Sequence, residues 1–186
     1  MSLRAIPPGS LSIRLATVGD LPEIVDIYNQ AVRERFATAD LFPVTVDQRL
    51  AWFGEHDSDS LPIYVAELDG AVVGWCSLSA YRSGRAALRG TAEISYYVRA
   101  DSRGRGVGAA LVRRAIDDAP RLGKRVVFGI LLEKNTASIN LLKKCGFELW
   151  GRLPDVASID GELVSHVYYG RSLPRASPSE NRAPSG

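Results

Sequence analysis

A glycine-rich segment joins a strand-like run to a helical pattern and reads Val98-Arg99-Ala100-Asp101-Ser102-Arg103-Gly104-Arg105-Gly106-Val107-Gly108-Ala109-Ala110-Leu111. Gly104, Gly106 and Gly108 alternate, and glycine permits a left-handed backbone and close approach of a ligand. The first amides of the helix that follows lack partners, so with the helix dipole they form an anion site. Arg103 and Arg105 add charged donors. The segment therefore predicts an anion-binding turn, with a solvated basic turn as the alternative.

The spacing of this segment excludes two familiar phosphate loops. No lysine follows as in a Walker A loop, and the glycines lack the Gly-x-Gly-x-x-Gly spacing of a dinucleotide fingerprint.

Hydrophobic patterning outward from this turn predicts a mixed α/β chain. Asp69-Gly70 between two apolar runs indicates a hairpin, and the apolar run that ends at Leu132 indicates a strand covered on both faces. The unit 92–132 should be a right-handed crossover with parallel strands. Strands are predicted near 12–16, 63–68, 71–78, 92–98, 125–132, 148–153 and 163–173, and helices near 21–35, 45–56, 107–122 and 137–144. The order is β-α-α-β-β-β-α-β-α-β-β around one mixed central sheet, with a loop at 82–90 and a further hairpin at 154–163.

Length and composition predict one folded domain. The chain has 186 residues, of which 46% are hydrophobic and 24% charged, as in ordinary globular proteins. We expect the domain over 11–173, a flexible lead-in over 1–10 and a disordered tail over 174–186. No apolar run approaches the ~20 residues of a membrane span, and the start lacks a signal-peptide pattern. We therefore expect a cytoplasmic protein with no membrane partner.

Charge and metal-ligand patterns argue against a metal site and a nucleic-acid partner. The two cysteines and two histidines show no metal-binding spacing, so two buried free thiols are expected. The formal net charge is only +2. The segment 82–114 holds eight arginines against two acids, which is +6 and leaves −4 for the rest of the chain. This asymmetry favours a local anion site over a long polyanion track.

Two motifs resemble the GNAT superfamily of N-acetyltransferases. Arg103 to Gly108 has the Arg-x-x-Gly-x-Gly spacing of that family's acetyl-CoA loop, with Val98 five residues upstream. The segment Asn135–Phe147 looks like the family's Asn-x-x-Ala/Ser-x-x-Leu-Tyr-x-x-x-Gly-Phe region. Segments 27–32, 90–98 and 149–154 are similar to one branch, the phosphinothricin or methionine sulfoximine acetyltransferases. The resemblance covers nearly all of 11–173.

The resemblance implies acetyl transfer from acetyl-CoA to the amine of a small amino acid or analogue, without a metal. It assigns the general base to Glu93 and the oxyanion donor to the backbone amide of Val98. A buried acid in an apolar strand is costly unless it is paired or functional, so Glu93 could instead face solvent or pair with a loop arginine. The expected cofactor-binding residues are Tyr96, Tyr97, Val98, Arg103, Gly104, Arg105, Gly106, Val107, Gly108, Ala109, Asn135, Ser138 and Lys144.

Each of these assignments has a plainer alternative. Asn135, expected on the pantetheine arm, is also a good helix cap. The expected substrate-binding residues are Phe36, Tyr81, Arg82 and Glu93, with Arg82 as a carboxylate clamp or else a solvated loop arginine. Relatives place Tyr or His where this chain has Leu142, so the thiolate leaves unaided or takes a proton from Tyr96, Tyr97 or Tyr168.

Other functions stay open, and so does the oligomeric state. A protein N-terminal or lysine acetyltransferase would need an open groove, which Phe36 with the loop 37–44 and the hairpin 154–163 could close. A non-catalytic acyl-CoA sensor is favoured by Leu142 and opposed by Glu93. A nucleic-acid binder is opposed by the near-neutral charge. The resemblance implies a homodimer, for which the periodicity specifies no interface.

Overall fold

The computed structural model describes residues 10–174. Four helices and seven strands follow the order expected from the sequence, with three short 3₁₀ turns between them. The strands are β1 (Leu11–Leu15), β2 (Ile63–Leu68), β3 (Ala71–Ala80), β4 (Thr91–Val98), β5 (Val126–Leu132), β6 (Glu148–Ile159) and β7 (Glu162–Ser172). The helices are α1 (Leu21–Glu34), α2 (Val46–Gly54), α3 (Val107–Asp118) and α4 (Thr136–Lys144).

All seven strands form one sheet in the order β1-β2-β3-β4-β5-β7-β6. A large apolar cluster on one face joins the sheet to α3 and α4 through Leu111, Val112 and Leu142. A second cluster on the opposite face joins the sheet to α1 through Ile24, Ile27 and Trp75, with α2 at its margin. The single-domain α/β fold expected from the sequence is confirmed, and both cysteines are free and buried.

Local sequence signals explain how these elements begin and end. The hairpin turn between β2 and β3 has Asp69 at φ 52° and Gly70 at φ 80°, which suits the twist of an antiparallel pair. Thr45 caps α2 by accepting a hydrogen bond from the Gln48 amide at 3.2 Å. Helix α1 ends where Arg35 adopts a left-handed conformation at φ 62°.

The parallel pair β4–β5 is short, and this positions the functional site. Only Thr91, Ala92 and Glu93 pair with β5, and the last rung joins Glu93 to Phe128. On its other side β4 stays paired with β3 along its whole length from Ala92 to Val98. The sheet is therefore open between β4 and β5 beyond the Glu93 rung.

The second half of the chain departs from the prediction in one element. The predicted hairpin at 154–163 is present, but strand β6 is longer than expected, because it continues past Leu153 to Ile159 before it turns through Asp160 and Gly161 into β7. A register shift between Leu153 and Ala157 absorbs the irregularity. The predicted lead-in and tail lie outside the described residues apart from positions 10 and 174. No helix within the described range is long and apolar enough to cross a bilayer.

Candidate active site

The opening between β4 and β5 exposes backbone groups of β4. The Arg99 amide donates to the Val73 carbonyl on β3 at 2.9 Å. Because backbone groups alternate between the two edges of a strand, Val98 and Tyr96 present theirs toward β5, where the ladder has ended. The Arg103 Nε reaches the Val98 oxygen at 3.2 Å from that side, which agrees with this direction.

A cleft of about 500 Å³ passes through the sheet at this opening. Tyr96 and Val98 pack with the α3/α4 cluster, whereas Tyr97 packs with the α1 cluster, yet all three line the cleft. Two ligands could therefore meet here from opposite faces. Of the expected cofactor-binding residues, the structure brings together in the cleft Tyr96, Tyr97, Val98, Arg103, Gly104, Gly106, Val107, Gly108, Ala109, Asn135, Ser138 and Lys144.

The glycine turn forms an anion cradle at the start of α3. Gly106 caps the helix at φ 83°, and a β-carbon at this position would meet no atom within 4 Å. The first intrahelical bond runs from the Ala110 amide to the Gly106 oxygen, so the amides of the preceding turn have no helical acceptor. Arg113 and Lys144 also line the cleft, and neither forms an ion pair within residues 10–174. This donor set fits the pyrophosphate of a coenzyme A thioester.

The two arginines of the turn differ in their surroundings. Arg103 lines the cleft but makes two hydrogen bonds to the Glu34 carboxylate, at 2.8 and 2.9 Å. This bidentate pair connects the end of α1 to the glycine turn. Arg105 is exposed and is absent from the residues that line the cleft.

The start of α4 forms the opposite wall. Asn135 caps the helix, since its side-chain oxygen accepts from the Ser138 amide at 3.1 Å. The Tyr96 hydroxyl donates to the Ser138 carbonyl at 3.2 Å, and burial raises the pKa of this phenol. Asn135 is therefore a helix cap that also lines the cleft.

Glu93 lies at the closed end of the opening rather than among the residues that line the cleft. Its side chain is half-buried, and none of the described residues forms a hydrogen bond or an ion pair with it. Burial raises the pKa of this carboxyl group. A carboxylate without a partner and with a raised pKa is suited to accept a proton from an amine.

Aromatic side chains form an apolar wall beside Glu93. Its rung partner Phe128 packs edge-on against Tyr81, with ring centroids 4.9 Å apart, and stacks on Tyr168 at 6.2 Å. Tyr81 was expected from the sequence at the acceptor site and lies next to Glu93's neighbour. Arg82 lies over the Tyr81 ring, but it lines a separate cavity of about 690 Å³ with Arg85, Arg89 and Lys124.

The segment after α1 reaches the cleft. Phe36 and Ala37 both line the cleft. The following loop is tied down, since Tyr28 donates to the Asp40 carboxylate at 2.5 Å and the Asn29 amide donates to the Val44 carbonyl at 2.9 Å. Phe36, expected from the sequence to bind the substrate, therefore lines the same cleft as the glycine turn.

The position at which relatives have a proton donor is packed inside this protein. Leu142 is fully buried, and its Cδ1 lies 3.2 Å from where a β-carbon on Gly129 would stand.

The cleft is also lined by four residues that were not predicted from the sequence, namely Ala31, Arg113, Asn140 and Leu141. Arg113 follows Ala109 by one helical turn, so periodicity along α3 could have identified it. None of the described residues forms a cluster able to hold a metal ion.

Comparisons with known proteins agree with this geometry. Residues 21–147 match the family model described as Acetyltransferase (GNAT) family. An L-methionine sulfoximine/L-methionine sulfone acetyltransferase of Pseudomonas aeruginosa is 40% identical over 165 residues, which span 88% of this chain and 95% of that protein.

Two solved structures are similar over almost the whole fold. A GNAT superfamily phosphinothricin acetyltransferase from Sinorhizobium meliloti in complex with acetyl-CoA has a TM-score of 0.84 and 29% identity, covering 94% of this chain and 96% of that one. A ribosomal-protein-alanine N-acetyltransferase from Brucella melitensis has a TM-score of 0.82 and 33% identity, covering 87% and 99%. The family match spans more than half of the sequence, and the anion cradle suits a coenzyme A thioester. The chain therefore belongs to the GNAT family and is an acetyl-CoA-dependent N-acetyltransferase.

Proposed function

We propose that the protein transfers the acetyl group of acetyl-CoA to the amine of a small amino acid or analogue of the methionine sulfoximine or phosphinothricin type. The observation that carries this proposal is the end of the β4–β5 ladder at Glu93, a half-buried carboxylate at the closed end of the opening that the cleft occupies. Acetyl-CoA supplies the acetyl group as an activated thioester. The residues of this chain hold it, deprotonate the amine and stabilise developing charge.

Glu93 is the proposed general base. An amine is mostly protonated near pH 7 and attacks only after losing a proton. The Glu93 side chain points to the α1 face, because its neighbours Ala92 and Ile94 both pack in the α3/α4 cluster and side chains alternate along a strand. Its raised pKa brings its proton affinity closer to that of the amine. The amine then attacks the thioester carbonyl directly, without an acetylated protein residue.

The Val98 amide is the proposed donor to the thioester oxygen. It points into the opening and has no partner in the β4–β5 ladder. A fixed amide aimed at developing negative charge lowers the barrier because it needs no reorganisation. The departing thiolate is a stable leaving group that can depart unaided. Among the tyrosines considered from the sequence, Tyr96 is the one that lines the cleft from the cofactor face.

The acceptor class is argued from the relatives and from the loop after α1. The named relative from Pseudomonas aeruginosa acts on methionine sulfoximine and methionine sulfone. Phe36 lines the cleft, and the loop that follows is held by the hydrogen bond from the Asn29 amide to the Val44 carbonyl. A loop held in this way should favour a small zwitterion over a peptide. Arg82 stays the proposed carboxylate clamp, reached by a rearrangement of its exposed side chain around Tyr81.

A thiol-release assay with acetyl-CoA tests the proposal. We would supply L-methionine sulfoximine, L-methionine sulfone, phosphinothricin, the standard amino acids and an alanine-starting peptide. Glu93→Gln should lower kcat by about 100-fold or more, with acetyl-CoA affinity unchanged. Glu148→Gln, a glutamate on the exposed start of β6, is the matched control and should behave as wild type. Full activity of Glu93→Gln would overturn the base assignment.

A protein N-terminal acetyltransferase is the second candidate, because a structure named as a ribosomal-protein-alanine N-acetyltransferase shares the fold at 33% identity. Turnover of the alanine-starting peptide, with none of the amino-acid analogues, would favour it. Acetyl-CoA binding without turnover on any amine would instead indicate a sensor.

A cytoplasmic homodimer is the proposed assembly. Strand β6 lies at the edge of the sheet and exposes large apolar side chains. They are Leu149, Trp150, Leu153 and Val156. Light scattering after gel filtration should give twice the chain mass, and Trp150→Lys should give the monomer.

A further inference from the structure

We infer that Ser79 and His56 form the route by which the proton taken up by Glu93 leaves the active site. The inference rests on the base role proposed for Glu93. Each turnover delivers one proton to this half-buried carboxylate, and the carboxylate must lose it before the next amine can be deprotonated. Among residues 10–174, no charged group is paired with Glu93 to take that proton directly.

The first step of the route is set by strand register. Ser79 on β3 and Glu93 on β4 are directly opposed. The Arg99–Val73 hydrogen bond fixes the pairing pattern, which makes Ser79–Glu93 a hydrogen-bonded pair with both side chains on the α1/α2 face. Opposed residues have β-carbons about 4.5–5.5 Å apart. A glutamate rotamer or one bridging water spans that distance to the Ser79 hydroxyl.

The second step is set by the direction of two hydrogen bonds. The His56 Nδ1 lies 2.7 Å from the Trp52 carbonyl oxygen. A carbonyl can only accept, so Nδ1 carries the hydrogen and Nε2 of the neutral ring is an acceptor. The Ser79 Oγ lies 3.0 Å from Nε2, so the hydroxyl donates to the ring and keeps its lone pairs for another donor. Protonated Glu93 is such a donor.

The resulting series of hydrogen bonds has one donor direction, from Glu93 through Ser79 to His56. The Glu93 O–H bond breaks as its proton passes to the Ser79 oxygen, and the Ser79 proton passes to the His56 Nε2. The imidazolium that forms keeps its Nδ1–H bond to Trp52 and loses the new proton on Nε2 to a water molecule, since His56 is only partly buried. The Ser79 hydroxyl, now carrying the proton from Glu93, then turns back to donate to Nε2. Serine and histidine return unchanged.

The surroundings of His56 fix the ring in this orientation. The Trp52 ring packs on it with centroids 4.8 Å apart, and Trp52 in turn packs on Trp75 in the sheet. Burial lowers the pKa of His56, so the ring is neutral and ready to accept near pH 7. The nearby acids Glu55 and Asp57 favour the transient imidazolium.

The test compares His56→Ala, Ser79→Ala and the control Ser79→Thr, which retains the hydroxyl. With L-methionine sulfoximine as acceptor, the two alanine variants should lose about tenfold in kcat, less than a group in direct contact contributes. Ser79→Thr should stay within about twofold of wild type, and acetyl-CoA affinity should not change. Added imidazole should restore His56→Ala in proportion to its concentration, but not the double variant that also lacks Ser79.

These readouts separate a proton route from a structural tie between α2 and β3. A structural role predicts no rescue by imidazole, or equal rescue with and without Ser79, and either result overturns the inference. If His56→Ala is poorly folded by circular dichroism, His56→Gln keeps an acceptor for Ser79 but takes no proton. It should show the same loss in kcat. Loss of kcat only in Glu93→Gln would leave the proposed function intact and refute the route.

Discussion

Replacing Gly106 by alanine tests two properties of the glycine turn, its backbone geometry and its binding of an anion. Gly106 has φ 83° and ψ −1°, in the left-handed region. An alanine there costs about 1–2 kcal/mol, and reduced freedom of the unfolded chain offsets about 0.4–1 kcal/mol of it. A β-carbon would meet no protein atom within 4 Å, so no clash adds to the cost. The net loss should be about 1 kcal/mol, or a Tm lower by about 2–4 °C.

The same substitution should also weaken acetyl-CoA binding, independently of its effect on stability. If a phosphate of acetyl-CoA approaches the unpaired amides through the open space beside Gly106, a methyl group there should remove one charge-assisted hydrogen bond. A loss of about 1.5 kcal/mol raises the Kd for acetyl-CoA about tenfold. Urea denaturation without ligand and calorimetric titration with acetyl-CoA measure the two effects independently.

The matched control is Gly54→Ala at the end of α2. A β-carbon there also meets nothing within 4 Å, and Gly54 is not in the left-handed region. We expect unchanged or slightly higher stability and unchanged acetyl-CoA affinity. If Gly106→Ala were as stable as Gly54→Ala, the backbone argument would fail. If it bound acetyl-CoA as wild type does, this turn would not be the anion cradle.

Three further predictions concern charged groups. Glu34→Gln removes the negative charge that pairs with Arg103, so acetyl-CoA should bind about two- to fivefold more tightly at low salt. The gain in affinity should shrink at high salt, which titration at two ionic strengths would show. Arg14 lowers the pKa of Asp20 to about 2, a stabilisation of about 1–2 kcal/mol after allowance for the exposed arginine. It is present at pH 7 and lost as the pH falls from about 4 to 2, so Asp20→Asn should be less stable at pH 7 and less acid-sensitive in urea titrations. Because the pKa of Glu93 is raised above 4.5, the acid limb of the kcat profile should fall above that value, and a limb at or below 4.5 would contradict the base assignment.

Local sequence signals predicted the elements that depend on neighbouring residues. Asp69-Gly70 marked one hairpin correctly, and the hairpin predicted at 154–163 has its turn at Asp160-Gly161, but the strand before it was predicted to end at Leu153 and continues to Ile159. Pro154 interrupts the run after Leu153 and suggested that the strand stops there. The structure tolerates this proline because β6 is an edge strand with a register shift at that point.

Contacts between distant residues had no local signal. The glycine turn lies within one short segment, so most of its cleft-lining residues could be predicted from the spacing of its glycines and arginines. The pairing of Arg103 with Glu34 joins residues that are 69 positions apart. The wall of Phe128 beside Glu93 and the contact of His56 with Ser79 depend on strand register and on where α2 ends. Such contacts become visible only when the fold is assembled.

Because the β4–β5 ladder is short, the sheet consists of two groups of strands that are hydrogen-bonded to each other only at one end of that ladder. Strands β1–β4 form one piece and β5–β7 the other, and three rungs from Thr91 to Glu93 connect them. A pantetheine arm is an extended chain with amide groups, so it can bond to Tyr96 and Val98 as a neighbouring strand would. Binding of the co-substrate would then connect the two pieces of the sheet along the part of β4 that β5 leaves unpaired.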